Sequence, residues 1–328
     1  MMQISHQQLK STFENVLLKT NFSAVKAALC SKIFADNSLD GVYSHGLNRF
    51  PVFIEHIKSG LIIPEAEPEL LSENGSLCHY DGHFAPGMYN ATIAMQKAID
   101  MAKINGIACI SIKNTNHWMR GGTYGWQAAN AGCIGICFTN TIANMPPWGG
   151  KEPRLGNNPL VIAVPKAGGH LVLDMAMSQY SYGKLQEHEL NHEQLPFAGG
   201  YDTIGNLTTD PQKIKQTQRA LPIGLWKGSG LSFMLDVLLT ALSGGKSTSE
   251  ITTSGKESGV SQTFIAIYQP DLHQSLIEQI IDFTKSSATD GNDGKIRYPG
   301  EKTLITRNKN LMEGIPVDPK IWEQVCRL

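Results

Sequence analysis

Apolar residues recur at helical spacing from Ser5 to Ala35 (Leu9, Phe13, Val16 and Leu17, then Val25, Ala28, Leu29 and Ile33), and Asn21 with Ser23 divides the run into two helices. A third helix is predicted through Phe53, Ile54 and Ile57 to a C-terminal Gly60, with Pro51 in its first turn or at a kink. Ser44 to Arg49 then stands at the helix entrance. From Gly75 the period changes. Leu77–Tyr80, Ile107–Ile112, Ile134–Phe138, Leu160–Val164 and His170–Leu173 read as strands, and Asn90–Lys103 and Tyr124–Asn130 as helices between them. A polar helical piece follows over Tyr182–Gln194, then a loop rich in Gly, Asn, Asp and Pro over Ala198–Pro211, and an apolar helix over Ser229–Leu242. Thr263–Ile267 reads as a strand and Leu272–Lys285 as a helix, a pair able to rejoin the earlier α/β unit, so the domains are expected to be discontinuous in sequence.

Composition narrows the class of partner. The 328 residues exceed one typical domain. Lys and Arg (28) nearly balance Asp and Glu (29) without a basic block, so nucleic acid and anionic membrane lack their electrostatic footprint and a small-molecule partner fits better. The six Cys contain no CxxC pair and are expected to be reduced. The N-terminal decapeptide is polar and no stretch approaches a membrane span, so a cytoplasmic protein is expected.

Four stretches could carry chemistry. In Ser44-His45-Gly46-Leu47-Asn48-Arg49, His45 and Arg49 are four apart and would share one face of a helical turn. An imidazolium can protonate the oxygen of a carbonyl receiving hydride, and a guanidinium can grip a substrate carboxylate by two parallel hydrogen bonds. The alternative is a helix-entry His and a surface Arg. Asn114-Thr115-Asn116-His117-Trp118-Met119-Arg120-Gly121-Gly122 directly follows a strand, where α/β folds commonly bind ligands; an ordinary loop with an anchoring Trp would look similar. Thr139-Asn140-Thr141, Met145 to Gly150 and Gly156-Asn157-Asn158-Pro159 suggest a backbone shaped around a ligand, or a plain crossover. His188-Glu189-Leu190-Asn191-His192 matches the HExxH string of zinc peptidases, but among solvated neighbours. Neither G-x-G-x-x-G nor a P-loop occurs, so a dinucleotide would have to bind by another design.

Taken together, Tyr43 to Pro51, Asn116 to Gly122 and Pro146-Pro147-Trp148-Gly149 with Asn158-Pro159-Leu160 resemble the malate/L-lactate dehydrogenase family that lacks a Rossmann fold, over nearly the whole chain. Within it, His117 to Trp126, the Trp148 segment and Leu225 to Gly230 are most similar to reductases of a polyhydroxylated diketo acid. The resemblance implies an α/β fold, α+β in its layering, with a mainly helical domain (1–72, 177–258 and 300–328; dimerisation and substrate side) and a mixed-sheet cofactor domain (73–176 and 259–299). It implies a homodimer reducing a 2-oxo acid with NADH, NADPH being possible, and no resident metal. The proton donor would fall on His45 and the substrate on Arg49, His117 and Arg120. The cofactor would fall on His170, Leu171, Val172, Leu173, Asp174, Met175 and Ala176, on Trp226 and Lys227, and on Gly300, Glu301 and Lys302. Asn116 and Asn140 could add hydrogen bonds to the hydroxyls of such a substrate, Asp174 to hydroxyls of the cofactor, and Trp226 a ring face, although Asp174 as a helix cap and Trp226 as core packing are the plainer readings.

Overall fold

A computed structural model describes residues 2–289 and 295–328. Its N-terminal helices start where hydroxyls can cap them. Ser5 Oγ accepts from the Gln8 N–H (3.1 Å) ahead of helix His6–Leu18, and Ser23 Oγ from the Lys26 N–H (3.3 Å) ahead of helix Ala24–Leu39. Helix Phe50–Lys58 carries Pro51 in its first turn, where the missing N–H costs nothing. The three helices meet through phenylalanines. The Phe13 and Phe50 rings lie 4.3 Å apart, and Phe34 meets Phe50 edge-on at 5.1 Å, all fully buried. Each such burial contributes roughly 1.5–3 kcal/mol. The short strand Met2–Ile4 pairs antiparallel with Ile315–Val317, and the C-terminal helix Pro319–Cys326 adds Trp322 and Val325 to the same cluster.

The main sheet has seven strands in the order Glu69–Asn74, Leu77–Asp81, Ile107–Thr115, Val260–Tyr268, Cys133–Thr139, Leu160–Val164, Leu171–Met175. One neighbouring pair, Leu77–Asp81 with Ile107–Thr115, is parallel; the others are antiparallel. This is the expected mixed sheet, and it is unlike the mainly parallel sheet of a Rossmann domain. The late strand Val260–Tyr268 rejoins the earlier unit at its centre, with Phe264 opposite both Ile110 and Cys137. Helices Gly87–Asn105 and Gly122–Asn130 cover one face through alanines and Met95. Helix Trp226–Ser243 covers the other through Leu235 and Leu239 against Phe138 and Ile265.

Several short or polar elements lie outside the expectations, among them strand Met2–Ile4 with its partner Ile315–Val317 and helices Pro211–Thr217, Thr248–Thr253 and Pro319–Cys326. The edge strand Glu69–Asn74 is exposed at every position, so no apolar alternation marks it, and helix Glu301–Glu313 buries only Asn310. The six cysteines are all unpaired, and among the described residues no helix is long and apolar enough to cross a membrane.

Small residues set how closely helix Gly122–Asn130 approaches the sheet. A Cβ on Gly125 would lie 2.8 Å from Val161 Cγ1 and 3.1 Å from Ala163 Cβ, whereas one on Gly230, in helix Trp226–Ser243, would meet nothing within 4 Å. Urea denaturation should therefore show Gly125→Ala destabilised by about 1–3 kcal/mol through overpacking, and Gly230→Ala neutral or stabilised by about 0.5–1 kcal/mol through helix propensity. Equal effects at both sites would contradict this reading of the contact.

Candidate active site

After helix Ala24–Leu39 the chain makes two 3₁₀ turns, Tyr43–His45 and Leu47–Arg49, separated by Gly46 at φ −113°, ψ −125°. His45 and Arg49 are thus not on one face of a continuous α-helical turn, as their spacing suggested. They are held by close packing onto the preceding helix. Ser38 Oγ accepts the Leu47 N–H (2.9 Å), and a Cβ on Gly46 would lie 2.2 Å from that oxygen. Asn37 Nδ2 donates to the His45 carbonyl (2.9 Å), and Ser44 Oγ lies 3.1 Å from His45 Nδ1.

The loop after strand Ile107–Thr115 brings His117 to the same place. The two imidazoles stack, with centroids 5.6 Å apart and planes inclined by 13°. Met119, at φ +64°, donates its N–H to His117 Nδ1 (3.0 Å), so a neutral His117 carries its proton on Nε2. Burial, then the nearby Arg49 and Arg120, push His45 from its ordinary 6.5 down to about 4. Burial, Arg49 and His45 also hold His117 well below the usual histidine range. Both rings are therefore neutral at neutral pH. Among the described residues Arg49 has no carboxylate within ion-pair distance, and its charge is felt at Glu257. A cation beside two neutral imidazoles is a ready site for a carboxylate.

Arg120 is differently placed. It is buried, its Nη1 donates to Asp40 Oδ2 (2.5 Å), and its Nε lies 3.7 Å from Asp174 Oδ2. Asp40 also takes Arg307 Nε at 2.6 Å and Nη2 at 2.8 Å, and the Arg307 guanidinium lies 4.9 Å from the centre of the Trp126 ring. Arg120 thus gives one hydrogen bond to Asp40 and an ion pair to Asp174, and its charge reaches His45. Asn116 and Asn140, expected as substrate partners, are spent on the fold. Asn116 donates to the Phe84 carbonyl (2.8 Å) and accepts from Ser258 (3.1 Å); Asn140 donates to Asp236 (3.0 Å) and the Lys246 carbonyl (2.8 Å) and accepts the Ser261 N–H (2.8 Å). Thr141, Asn157 and Asn158 likewise bond to one another and to Ser232, which makes that stretch a polar crossover.

The three separate cofactor candidates gather at the edge strand Leu171–Met175. At its start the Val172 N–H donates to the Pro299 carbonyl (2.9 Å), and a Cβ on Gly300 would lie 3.0 Å from Val172 N. His170 accepts the Lys166 N–H (3.1 Å) and bonds Asn130 (3.0 Å); Glu301 pairs with Lys285 and accepts the Tyr298 N–H (3.2 Å); Lys302 is exposed. Beyond its end the Ile223 N–H donates to the Met177 carbonyl (2.8 Å), which places Leu225, strained at φ +59°, and then Trp226 and Lys227. Trp226 is 63% exposed, so it is no core residue, and Lys227 Nζ lies 5.9 Å from its ring centre. Asp174 Oδ2 caps helix Gly122–Asn130 by accepting the Gly122 N–H (2.8 Å). Burial raises the Asp174 pKa against the opposing pull of Arg120.

The family model for malate/L-lactate dehydrogenase matches residues 4–326. The chain belongs to the malate/L-lactate dehydrogenase family. It is accordingly an oxidoreductase acting on CH–OH groups. Curated relatives called 2,3-diketo-L-gulonate reductase, from Citrobacter koseri and Klebsiella pneumoniae, are each 43% identical over the full length of both chains. A crystal structure of malate dehydrogenase from Entamoeba histolytica superposes with a TM-score of 0.93 at 27% identity, covering 99% of this chain and 96% of that one.

The malate/L-lactate dehydrogenase assignment leaves the HExxH string without a role, and the geometry shows why. Helix Tyr182–Leu190 ends before the motif does; His192 lies past its end at φ +58°, so the two His share no helical face. Glu189 pairs with Lys215, and no cluster of metal-binding side chains occurs among the described residues. The zinc-peptidase alternative is set aside.

The imidazole pair has a signature in stability. A histidine whose folded-state pKa is depressed stabilises the fold fully above its ordinary 6.5 and loses that contribution as pH falls through the window down to about 4. Chemical denaturation across this window should show His45→Gln losing less stability than the wild type. Parallel pH profiles would mean that His45 is not held neutral.

Proposed function

We propose that this chain reduces 2,3-diketo-L-gulonate to 3-dehydro-L-gulonate, a step of ascorbate breakdown, with NADH as the reductant and His45 as the proton donor. One observation carries the reading: His45 stacks on His117 beside an arginine that has no ion-pair partner among the described residues. The names of full-length relatives at 43% identity point to the same substrate. When bound, the nicotinamide cofactor supplies hydride to the carbonyl carbon. Arg49 grips the 2-oxo acid carboxylate and fixes which face of the carbonyl is presented. Burial is the larger cause of the low His45 pKa and the Arg49 charge the next; the carboxylate offsets the second, which eases uptake of the proton that His45 passes to the developing alkoxide. His117, its Nδ1 already occupied, offers its Nε2–H to an acceptor on the substrate. Arg120 supports this through charge and through the Asp40 link.

The residues along the edge strand fit a dinucleotide. Trp226 offers an exposed ring face, Lys227 and Lys302 offer charge, and the close approach at Gly300 needs a residue without a side chain. Asp174 Oδ1 makes no hydrogen bond to a described residue and can accept from a ribose hydroxyl; a carboxylate there favours NADH, while the two lysines leave NADPH open. In this reading the sheet unit (73–176 and 259–299) carries the cofactor, and the helical unit (1–72, 177–258 and 300–328) carries His45 and the dimer surface. Helix Trp226–Ser243 exposes Phe233, Met234, Val237 and Leu238 at helical spacing, an apolar stripe that a second copy would cover in a cytoplasmic homodimer.

The kinetic test uses freshly prepared 2,3-diketo-L-gulonate with NADH and NADPH. His45→Ala should lower turnover by roughly 10²–10⁴ while NADH binding stays nearly intact. Arg49→Gln should raise KM by about a hundredfold through loss of two charge-assisted hydrogen bonds. Unchanged turnover in His45→Ala would remove it as the acid, and no oxidation of either cofactor by the wild type would remove the substrate.

A further inference from the structure

Glu257 lies in the turn between helix Thr248–Thr253 and the central strand Val260–Tyr268, and its neighbours pin it against the active-site loop. Ser258 is buried and donates to Asn116 Oδ1 (3.1 Å), and the Gly259 N–H donates to the Thr115 carbonyl (3.0 Å). Position 257 is therefore fixed beside the residues that lead into His117. The Glu257 side chain is half-buried and makes no hydrogen bond or ion pair with a described residue, yet it lies within the field of Arg49. The Glu257 carboxyl and the Arg49 guanidinium, both partly buried, thus stand more than 4 Å apart. Burial raises the Glu257 pKa above its ordinary value, and Arg49 offsets only part of that rise. A ligand with a carboxylate for Arg49 and hydroxyls for Glu257 satisfies both.

We infer that Glu257 is a specificity-determining residue: it accepts hydrogen bonds from the hydroxyl-bearing tail of the 2-oxo acid and turns away acids that carry a second carboxylate. The inference rests on the proposed 2-oxo acid reduction and adds to it the rule by which substrates are sorted. The mechanism is paired. Hydroxyls gain charge-assisted bonds to a partly desolvated acceptor, and a dicarboxylate meets like charge at the same point. A carboxylate that served only to hold Arg49 in place would instead affect every 2-oxo acid alike.

Three substrates separate these roles: 2,3-diketo-L-gulonate (hydroxylated tail), pyruvate (methyl) and oxaloacetate (second carboxylate). In Glu257→Gln and Glu257→Ala, kcat/KM for the diketo acid should fall by about 10–100-fold, that for pyruvate should stay within about threefold, and that for oxaloacetate should rise by about tenfold. NADH affinity and far-UV circular dichroism should match the wild type, which reports that the fold is kept. A parallel fall for all three substrates, or no change in any, overturns the inference. Wild-type enzyme that ignores the diketo acid overturns the proposed substrate instead. The oxaloacetate-to-pyruvate ratio then still reads Glu257, and an unaltered ratio in both variants overturns its role.

Discussion

An arginine with no carboxylate in ion-pair contact among the described residues, beside two neutral imidazoles, is the constraint on which the site depends. Burial first, and the Arg49 charge after it, keep His45 and His117 neutral in the free protein. Such a site is incomplete by construction. In the proposed reaction a ligand brings one negative charge to Arg49, which lifts part of the restraint on protonating His45. Recognition of the acid and supply of the proton are thus one electrostatic event.

The rest of the molecule keeps this arrangement in place. Ser38 and Gly46 fix the 3₁₀ turns against helix Ala24–Leu39, and the aromatic cluster around Phe34 and Phe50 fixes that helix. Asp40, at the end of the same helix, joins Arg120 of the His117 loop to Arg307 of helix Glu301–Glu313, and Arg120 in turn approaches Asp174 on the edge strand. A buried acid between two guanidiniums is costly to break, because either partner alone would be an uncompensated charge. The network ties segments distant in sequence: the end of the helix that leads into the His45 turn, the His117 loop, helix Glu301–Glu313 and the edge strand Leu171–Met175.

How much of this was legible in the sequence varied with the kind of signal. Helices and strands with a regular apolar period were found at nearly their true bounds, because burial of one face imposes that period. The exposed edge strand Glu69–Asn74 and the polar helix Glu301–Glu313 bury little and left no such mark. His45 and Arg49 were legible as a pair, but their meeting relies on Gly46 and Ser38 rather than on helical spacing. Asn116 and Asn140 have the chemistry of ligands, and only the three-dimensional bonds show that the fold has used it. The HExxH string failed because a motif does not reveal where its helix stops. Glu257 was missed altogether, since Lys256-Glu257-Ser258 reads as a solvated turn and Arg49 lies more than two hundred positions away in the chain.

The central claim is that a carboxylate bound at Arg49 promotes protonation of the buried His45, with His117, Arg120 and Ser44 as the other groups facing that ring. Calorimetric titration of oxamate, an unreactive 2-oxo acid mimic, into the NADH complex at neutral pH, repeated in buffers of different ionisation heat, counts the protons exchanged on binding. The result expected is uptake of about one proton per site, abolished in His45→Gln. Binding of oxamate with no proton uptake by the wild-type protein would contradict the claim.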